Sequence, residues 1–341
     1  MTSLWRLNIE RLDNTIGLAA ALDAALARLT NLTAVSLDSG VLASGVLVGG
    51  ALLGSMEEYL PSLLALPRLA GLRLRYAGVS SAAAGAFAAS LTELQLLSDY
   101  SYGGSSLHWL GTTALCALTA LRRLCVAGRH TDSLEPLLEI LGRLATPPPT
   151  ALPPQLQRLC EVLADLTLEG VTEADSGALR GLSRLQALTG LEFIAAALTF
   201  KTLPPVVMGL RLRSLSILAC RGMRDLPDGP YLSHLTHLQW WTVLEDPVPT
   251  CLGRASALRV LSLRLTNGIL AGRHTGVIAR LPQLRRLLLN NCKHDSIQQV
   301  TVGHCTLAVQ LYQQLNADPK SKVALEFVED EVRTPVFEGF E

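Results

Sequence analysis

The sequence predicts an α/β solenoid, a stack of short parallel strands whose other side is covered by helices or irregular segments. The first observation behind this is size: 341 residues exceed what one spherical core usually holds, so two domains or an elongated repeat fit better. The second is composition. Leucine supplies about a fifth of the chain and aromatics only 5%, which points to one aliphatic packing solution used many times. The third is self-similarity: an apolar-x-x-apolar-x-apolar pattern recurs from one end of the chain to the other.

The pattern is clearest in Leu258-Arg-Val-Leu261-Ser-Leu263 and Leu284-Arg-Arg-Leu287-Leu-Leu289. Its final apolar-x-apolar unit alternates with period two, as a short strand with one buried face does. The first residue of that unit occurs at Leu7, Val35, Leu72, Leu94, Leu124, Leu166, Leu191, Leu215, Leu238, Leu261, Leu287 and Leu325, which predicts twelve strands. From Leu166 to Leu287 the spacings are 25, 24, 23, 23 and 26 residues. Longer gaps of 37, 42 and 38 residues follow Val35, Leu124 and Leu287, and these repeats are expected to carry larger convex segments. Leu18, Leu22, Leu26 and Leu29 recur at helical spacing behind Asp13, Asn14 or Thr15 as a cap, and Leu307, Leu311 and Leu315 do the same. A strand this short cannot bury its leucines alone. Stacked neighbours complete a continuous core.

These copies resemble the leucine-rich-repeat family over nearly the whole chain. Leu215-Ser-Ile217-Leu-Ala-Cys220 and Leu287-Leu-Leu289-Asn-Asn-Cys292 match its L-x-L-x-x-N/C core, with cysteine in the ladder position. Val248-Pro-Thr-Cys-Leu252-Gly-Arg-Ala-Ser-Ala-Leu258-Arg-Val-Leu261-Ser-Leu263 is similar to the plant-type repeat, with Ala255 replacing one leucine. Leu60-Pro61, Leu152-Pro-Pro154, Leu203-Pro-Pro205 and Leu226-Pro227 resemble the L-P element of that repeat. With its Ala/Leu/Arg/Gly-rich composition, the chain looks most like the divergent repeat proteins of green algae. The resemblance implies a curved horseshoe with a parallel concave sheet. The expected organisation is a single domain over residues 1–341, with a Pro-rich insertion loop at 145–155 and an acidic C-terminal tail at 328–341. A domain boundary at the Pro-rich run is the alternative, but the repeat resumes in phase after it.

Charge and cysteine usage narrow the function classes. Lys+Arg and Asp+Glu both total 29, so no global field attracts nucleic acid or an anionic membrane. The seven cysteines are scattered through leucine-rich stretches, as reduced buried thiols are, rather than clustered in a disulfide framework. Arg6, Glu10 and Arg11 stand where a signal peptide needs its apolar region, so no secretion signal is expected there. Ser39–Met56 lacks charge over eighteen residues, but its five glycines and the absence of a basic flank argue against a membrane span. The expected location is cytoplasmic, with the cytoskeleton or cilium axoneme as the alternative.

No catalytic set, metal site or cofactor is expected. Cys292-Lys-His294 with His304-Cys305 offers two thiols and two imidazoles, but the spacing fits none of the usual zinc patterns. His234-Leu-Thr-His237 falls at the start of a strand, with His237 facing solvent and His234 turned away. Gly128-Arg-His-Thr131 and Gly272-Arg-His-Thr275 read as turns after strands.

Binding is therefore expected on the concave face. The register assigns solvent-facing triplets there, among them Glu93/Gln95/Leu97, Arg123/Cys125/Ala127, Asp165/Thr167/Glu169, Ser214/Ser216/Leu218 and Val260/Ser262/Arg264. Arg73, Arg75 and Arg123 make the N-terminal part basic, while Asp165, Glu169 and Glu192 form an acidic step. Ile194, Leu218, Trp241 and Arg264 form a row on four consecutive strands. With His237 and Arg286 they are the expected partner-binding residues, since a tryptophan among aliphatics and arginines has hot-spot composition. The expected function is a non-catalytic scaffold or adaptor that binds another protein and acts as a monomer, with no nucleic acid and no membrane span. The alternatives are an axonemal or cytoskeletal structural protein and the substrate-recognition part of a ubiquitin-ligase-type adaptor; with repeats beginning near Leu4, no preceding F-box is expected.

Overall fold

The computed structural model describes residues 4–9, 16–38, 60–75, 79–97, 112–127, 134–145, 153–198, 203–220, 222–223, 225–242, 248–265, 276–278, 280–291 and 324–328. Every strand opens one residue before its apolar marker. The strands are β1 (Arg6–Ile9), β2 (Ala34–Asp38), β3 (Gly71–Arg75), β4 (Glu93–Leu97), β5 (Arg123–Ala127), β6 (Asp165–Glu169), β7 (Gly190–Ile194), β8 (Ser214–Cys220), β9 (His237–Thr242), β10 (Val260–Leu265), β11 (Arg286–Asn291) and β12 (Ala324–Val328).

The chain forms two compact units, Met1–Leu188 and Thr189–Glu341. In the first, β1 to β6 lie in chain order and pair in parallel, with Leu7, Val35, Leu72, Leu94, Leu124 and Leu166 as successive Cα partners. In the second, β7 to β12 do the same through Leu191, Leu215, Leu238, Leu261, Leu287 and Leu325. Parallel neighbours need a crossover between them, and the 23- to 26-residue repeat supplies one. Each unit is an α/β stack of parallel strands and crossovers, as the repeat spacing predicts.

Alternation sends the marker and the residue two positions on into the core. Leu72, Leu94, Leu124, Leu238 and Leu261 are fully buried, as are Phe193, Ile217, Trp240 and Leu263 in the second inward position. Trp240 is the largest of them, and its indole Nε1 is buried with no hydrogen-bond partner. An unpaired buried donor costs stability, so the apolar contacts of the ring must offset it.

Crossover length decides what lies between the strands. Met1–Leu188 has helices α1 (Ile16–Leu26), α2 (Ser81–Phe87), α3 (Thr112–Ala117), α4 (Glu135–Ala145), α5 (Pro154–Val162) and α6 (Ser176–Leu179). The 42-residue gap after Leu124 holds both α4 and α5, as its length predicts. In Thr189–Glu341, α7 (Leu203–Val207) is followed by tight 3-10 turns at Pro230–Ser233 and Thr250–Arg254 in the two 23-residue repeats. Proline opens several of these crossovers, at Pro61, Pro154 and Pro230. It fits there because the first helical position has no intrahelical partner for its N–H. One packing contact in the first unit is especially close. A Cβ on Gly181 would lie 1.9 Å from the backbone oxygen of Leu141 in α4, so the 3-10 turn Arg180–Arg184 sits directly against that helix.

Ser39–Met56, Asp13 to Thr15, Thr146–Leu152, the Leu307/Leu311/Leu315 segment, Gly128–Thr131, Gly272–Thr275, Cys292–His294, His304–Cys305 and the tail after Val328 lie outside the described residues. Among the described residues no helix is long and apolar enough to cross a membrane.

Candidate functional site

Period-two alternation leaves three residues of each strand on the sheet face away from the leucines. The parallel register then stacks them into rows. In Thr189–Glu341 the first row is Gly190, Ser214, His237, Val260 and Arg286, and the second is Glu192, Ser216, Gln239, Ser262 and Leu288. The third begins Ile194, Leu218, Trp241, each the Cα partner of the next. Arg264 follows one position beyond the Trp240–Leu263 pair and faces Asn290. The register thus pairs three residues of the four-residue row, Ile194, Leu218 and Trp241, with Arg264 on the next strand. Ile194, Leu218, Trp241 and Arg264 are half-buried, whereas His237 and Arg286 in the first row are exposed.

The backbone just after this row is unusual. Ala195 and Ala219 have φ of 48° and 53°, the left-handed region that costs an L-residue about 1–2 kcal/mol. Gly170 occupies the same repeat position after β6, with φ of 75°. A bulge between Leu218 and Cys220 accompanies the turn, and the Ala195 amide donates to the Leu218 carbonyl over 2.8 Å. The turn keeps Leu218 outward and sends Cys220 into the core. There its thiol lies 3.5 Å from the carbonyls of Phe193 and Leu218, and burial pushes its pKa up to about 12. This is the inward ladder position expected for Cys220. A thiol so shifted packs rather than reacts.

Trp241 does not stand alone. Its indole N–H donates to Ser262 Oγ over 3.2 Å, which holds the indole against β10. Ser262 is consequently 2% exposed, which corrects the expectation that it faces water. Ser216, whose hydroxyl donates to Gln239 Oε1 over 3.2 Å, is closed over in the same way.

Met1–Leu188 corrects the sequence reading more broadly. Glu93, Gln95, Leu97, Cys125, Ala127 and Thr167 all belong to triplets expected to face solvent, and all are buried. The physical reason is spacing. Strands about 4.8 Å apart let a long side chain on one cover a shorter one beside it. Glu93 makes an ion pair with Arg123 at 2.7 Å and accepts from Gln95 Nε2 at 3.1 Å. Burial nonetheless pushes the Glu93 carboxyl above its ordinary 4.5, against the opposing pull of Arg123. Asp165 is pushed up for the same reason. The basic patch expected in this part is therefore partly neutralised, because Glu93 takes the charge of Arg123. Gln95 Oε1 is buried with no partner.

The described cysteines are free, and all but Cys116 are buried. Cys116 lines an open groove of about 400 Å³ with Ile140, Arg143 and Leu156, and burial pushes its thiol up as well. Among the described residues, no group of three or more His, Cys, Asp or Glu could hold a metal ion. The structure puts His234 at the end of the Pro230–Ser233 turn and His237 first in β9, both exposed. His237 Nδ1 contacts the hydroxyl of Thr236, its neighbour, at 2.9 Å.

No family model matches the chain, and no curated protein matches it. Among solved structures it is similar to a leucine-rich-repeat protein of Leptospira interrogans, at 14% identity and a TM-score of 0.25. That match covers 94% of this chain and 100% of the other. The fold assignment rests on the chain's own register and repeat spacing.

Proposed function

We propose that this protein is a non-catalytic protein–protein interaction scaffold or adaptor, and that its partner docks on the concave face of Thr189–Glu341. The observation that carries the reading is the register stack Ile194–Leu218–Trp241, an apolar row on the sheet face away from the core whose tryptophan is only half-buried. A rigid aromatic bordered by aliphatic side chains and by Arg264, with His237 and Arg286 at the rim, has the make-up of a binding hot spot. The twelve repeats over residues 1–341 act as one binding domain, with 145–155 as an insertion loop and 328–341 as an acidic tail. The protein works as a cytoplasmic monomer without a cofactor. Its repeats are of the divergent plant or green-algal type.

The test compares partner recovery by wild type, Trp241→Ala, Leu218→Asp and Arg264→Glu, with circular dichroism confirming the fold of each. Trp241→Ala is expected to cost the partner about 2 kcal/mol or more of affinity. Recovery of the same partners by Trp241→Ala as by wild type, at equal affinity, contradicts the proposal. Proximity labelling in the native cell separates a ubiquitin-ligase-type adaptor from an axonemal or cytoskeletal protein through the neighbours it tags.

A further inference from the structure

The residues immediately ahead of the strands form another row, fixed by backbone hydrogen bonds. The Arg213 carbonyl accepts from the amides of Thr236 and His237. The Thr236 carbonyl accepts from Arg259 and Val260, and the Arg259 carbonyl from Arg285 and Arg286. Arg213, Thr236, Arg259 and Arg285 therefore lie one above another along the N-terminal edge of the strands. In Met1–Leu188 the equivalent positions are Thr33, Ala70, Thr92, Arg122 and Ala164, on the same bonding pattern.

Threonine has a structural use at this position. The hydroxyls of Thr33, Thr92 and Thr236 each donate to the carbonyl of the residue just ahead of the preceding strand. Arg213, Arg259 and Arg285 are exposed, and their guanidiniums make no ion pair among the described residues. Arg259 and Arg285 occupy neighbouring strands, about 4.8 Å apart at the backbone, where like charges side by side are destabilising. Neighbouring cations that repel one another and make no ion pair among the described residues are relieved by an anion laid across them.

We infer that this edge is a docking surface for an acidic, extended segment of a partner protein. Carboxylates on one side of an extended peptide recur about every 7 Å, a spacing that flexible arginines ahead of β8, β10 and β11 can meet with bidentate bonds. A polynucleotide fits less well. The row contains no aromatic ring on which bases would stack, and the zero net charge of the chain supplies no wider field for a phosphate backbone. The surface is distinct from the Trp241 row and does not depend on it.

The experiment uses the full chain and fluorescence anisotropy of a labelled peptide of alternating glutamate and serine. A glutamine–serine peptide and a single-stranded RNA of equal charge serve as comparison probes. The expected result is binding of the glutamate peptide that weakens as salt rises, and that falls at least about tenfold when Arg213→Glu, Arg259→Glu and Arg285→Glu are combined. A matched reversal of exposed Arg28, Arg68 and Arg180 is expected to change it less than about twofold, since screening confines the effect to nearby charges. If the triple glutamate variant does not fold, the corresponding triple glutamine variant is read instead, with a smaller loss expected. The inference is overturned by no binding of the glutamate peptide, by equal binding of the glutamine peptide, by equal loss in the matched reversal, or by tighter binding of the RNA. Trp241→Ala is expected to leave the glutamate peptide bound, so failure of either proposal is visible without the other.

Discussion

Met1–Leu188 buries most of the outward face of β4 and β5 under its own side chains, whereas Thr189–Glu341 leaves an apolar row half-open. In the first unit Glu93 pairs with Arg123 across β4 and β5 and accepts from Gln95 Nε2. In the second, Ile194, Leu218 and Trp241 stack in register, and Ser262 takes the indole N–H. The crossovers differ in parallel: among the described residues, the first unit packs helices on helices, whereas the second has the short α7 and two 3-10 turns. One repeat chemistry thus builds two kinds of surface, because the residues between the leucines are free to vary while the leucines are not.

The largest effects should fall on what the two units share. Leu124→Ala in the first and Leu261→Ala in the second each remove a fully buried marker, and each should cost roughly 2–5 kcal/mol. Chemical denaturation of both variants checks this. A unit that tolerates its substitution would not be held by the common leucine ladder.

Crossover packing should separate the units. Gly181→Ala drives a methyl into the Leu141 backbone and should cost about 1–3 kcal/mol, because α4 must shift. Gly253→Ala, on the Thr250–Arg254 turn, meets nothing within 4 Å and should stay within about 0.5 kcal/mol of wild type. Equal thermal shifts for the two would show that α4 yields freely and that the helical crossovers are no tighter than the turns.

The smallest effect lies in the polar network. Because burial raises the Glu93 pKa, the native state holds that proton more tightly than the unfolded chain does. Its contribution to stability is fully present below the ordinary 4.5, declines as pH rises through the raised value, and is flat above it. Glu93→Gln should therefore flatten melting temperature against pH in the window above 4.5, and the variant should gain on wild type as pH rises through it. A Glu93→Gln profile that instead loses ground with rising pH would mean that the Arg123 ion pair outweighs burial.

The strand positions were legible because the leucine marker recurs where the chain must turn inward, and each strand begins one residue ahead of it. The 42-residue gap after Leu124 likewise announced a larger crossover segment, and it holds α4 and α5. Gap length did not separate helix from 3-10 turn among the short repeats, since the 22 residues from Leu72 to Leu94 hold α2. The register row Ile194–Leu218–Trp241 was also readable, since parallel pairing keeps equal repeat positions opposite one another. Burial on that same face was not. Alternation states that Ser262 and Gln95 point away from the leucines, but exposure depends on what the neighbouring strand carries. Trp241 over Ser262 is a fact about two repeats together.

By itself, then, the sequence determined the repeat, the strand register, the leucine core and the face to which each side chain points. All of these follow from short-range periodicity and from the need to bury one apolar row per strand. Only the tertiary structure decided which outward-pointing groups meet solvent, where Ala195 and Ala219 accept left-handed backbone, and how closely Gly181 approaches α4. Those outcomes arise between chain segments a repeat or more apart, across gaps of a few ångströms, where the volume and charge of one side chain settle the surroundings of the next.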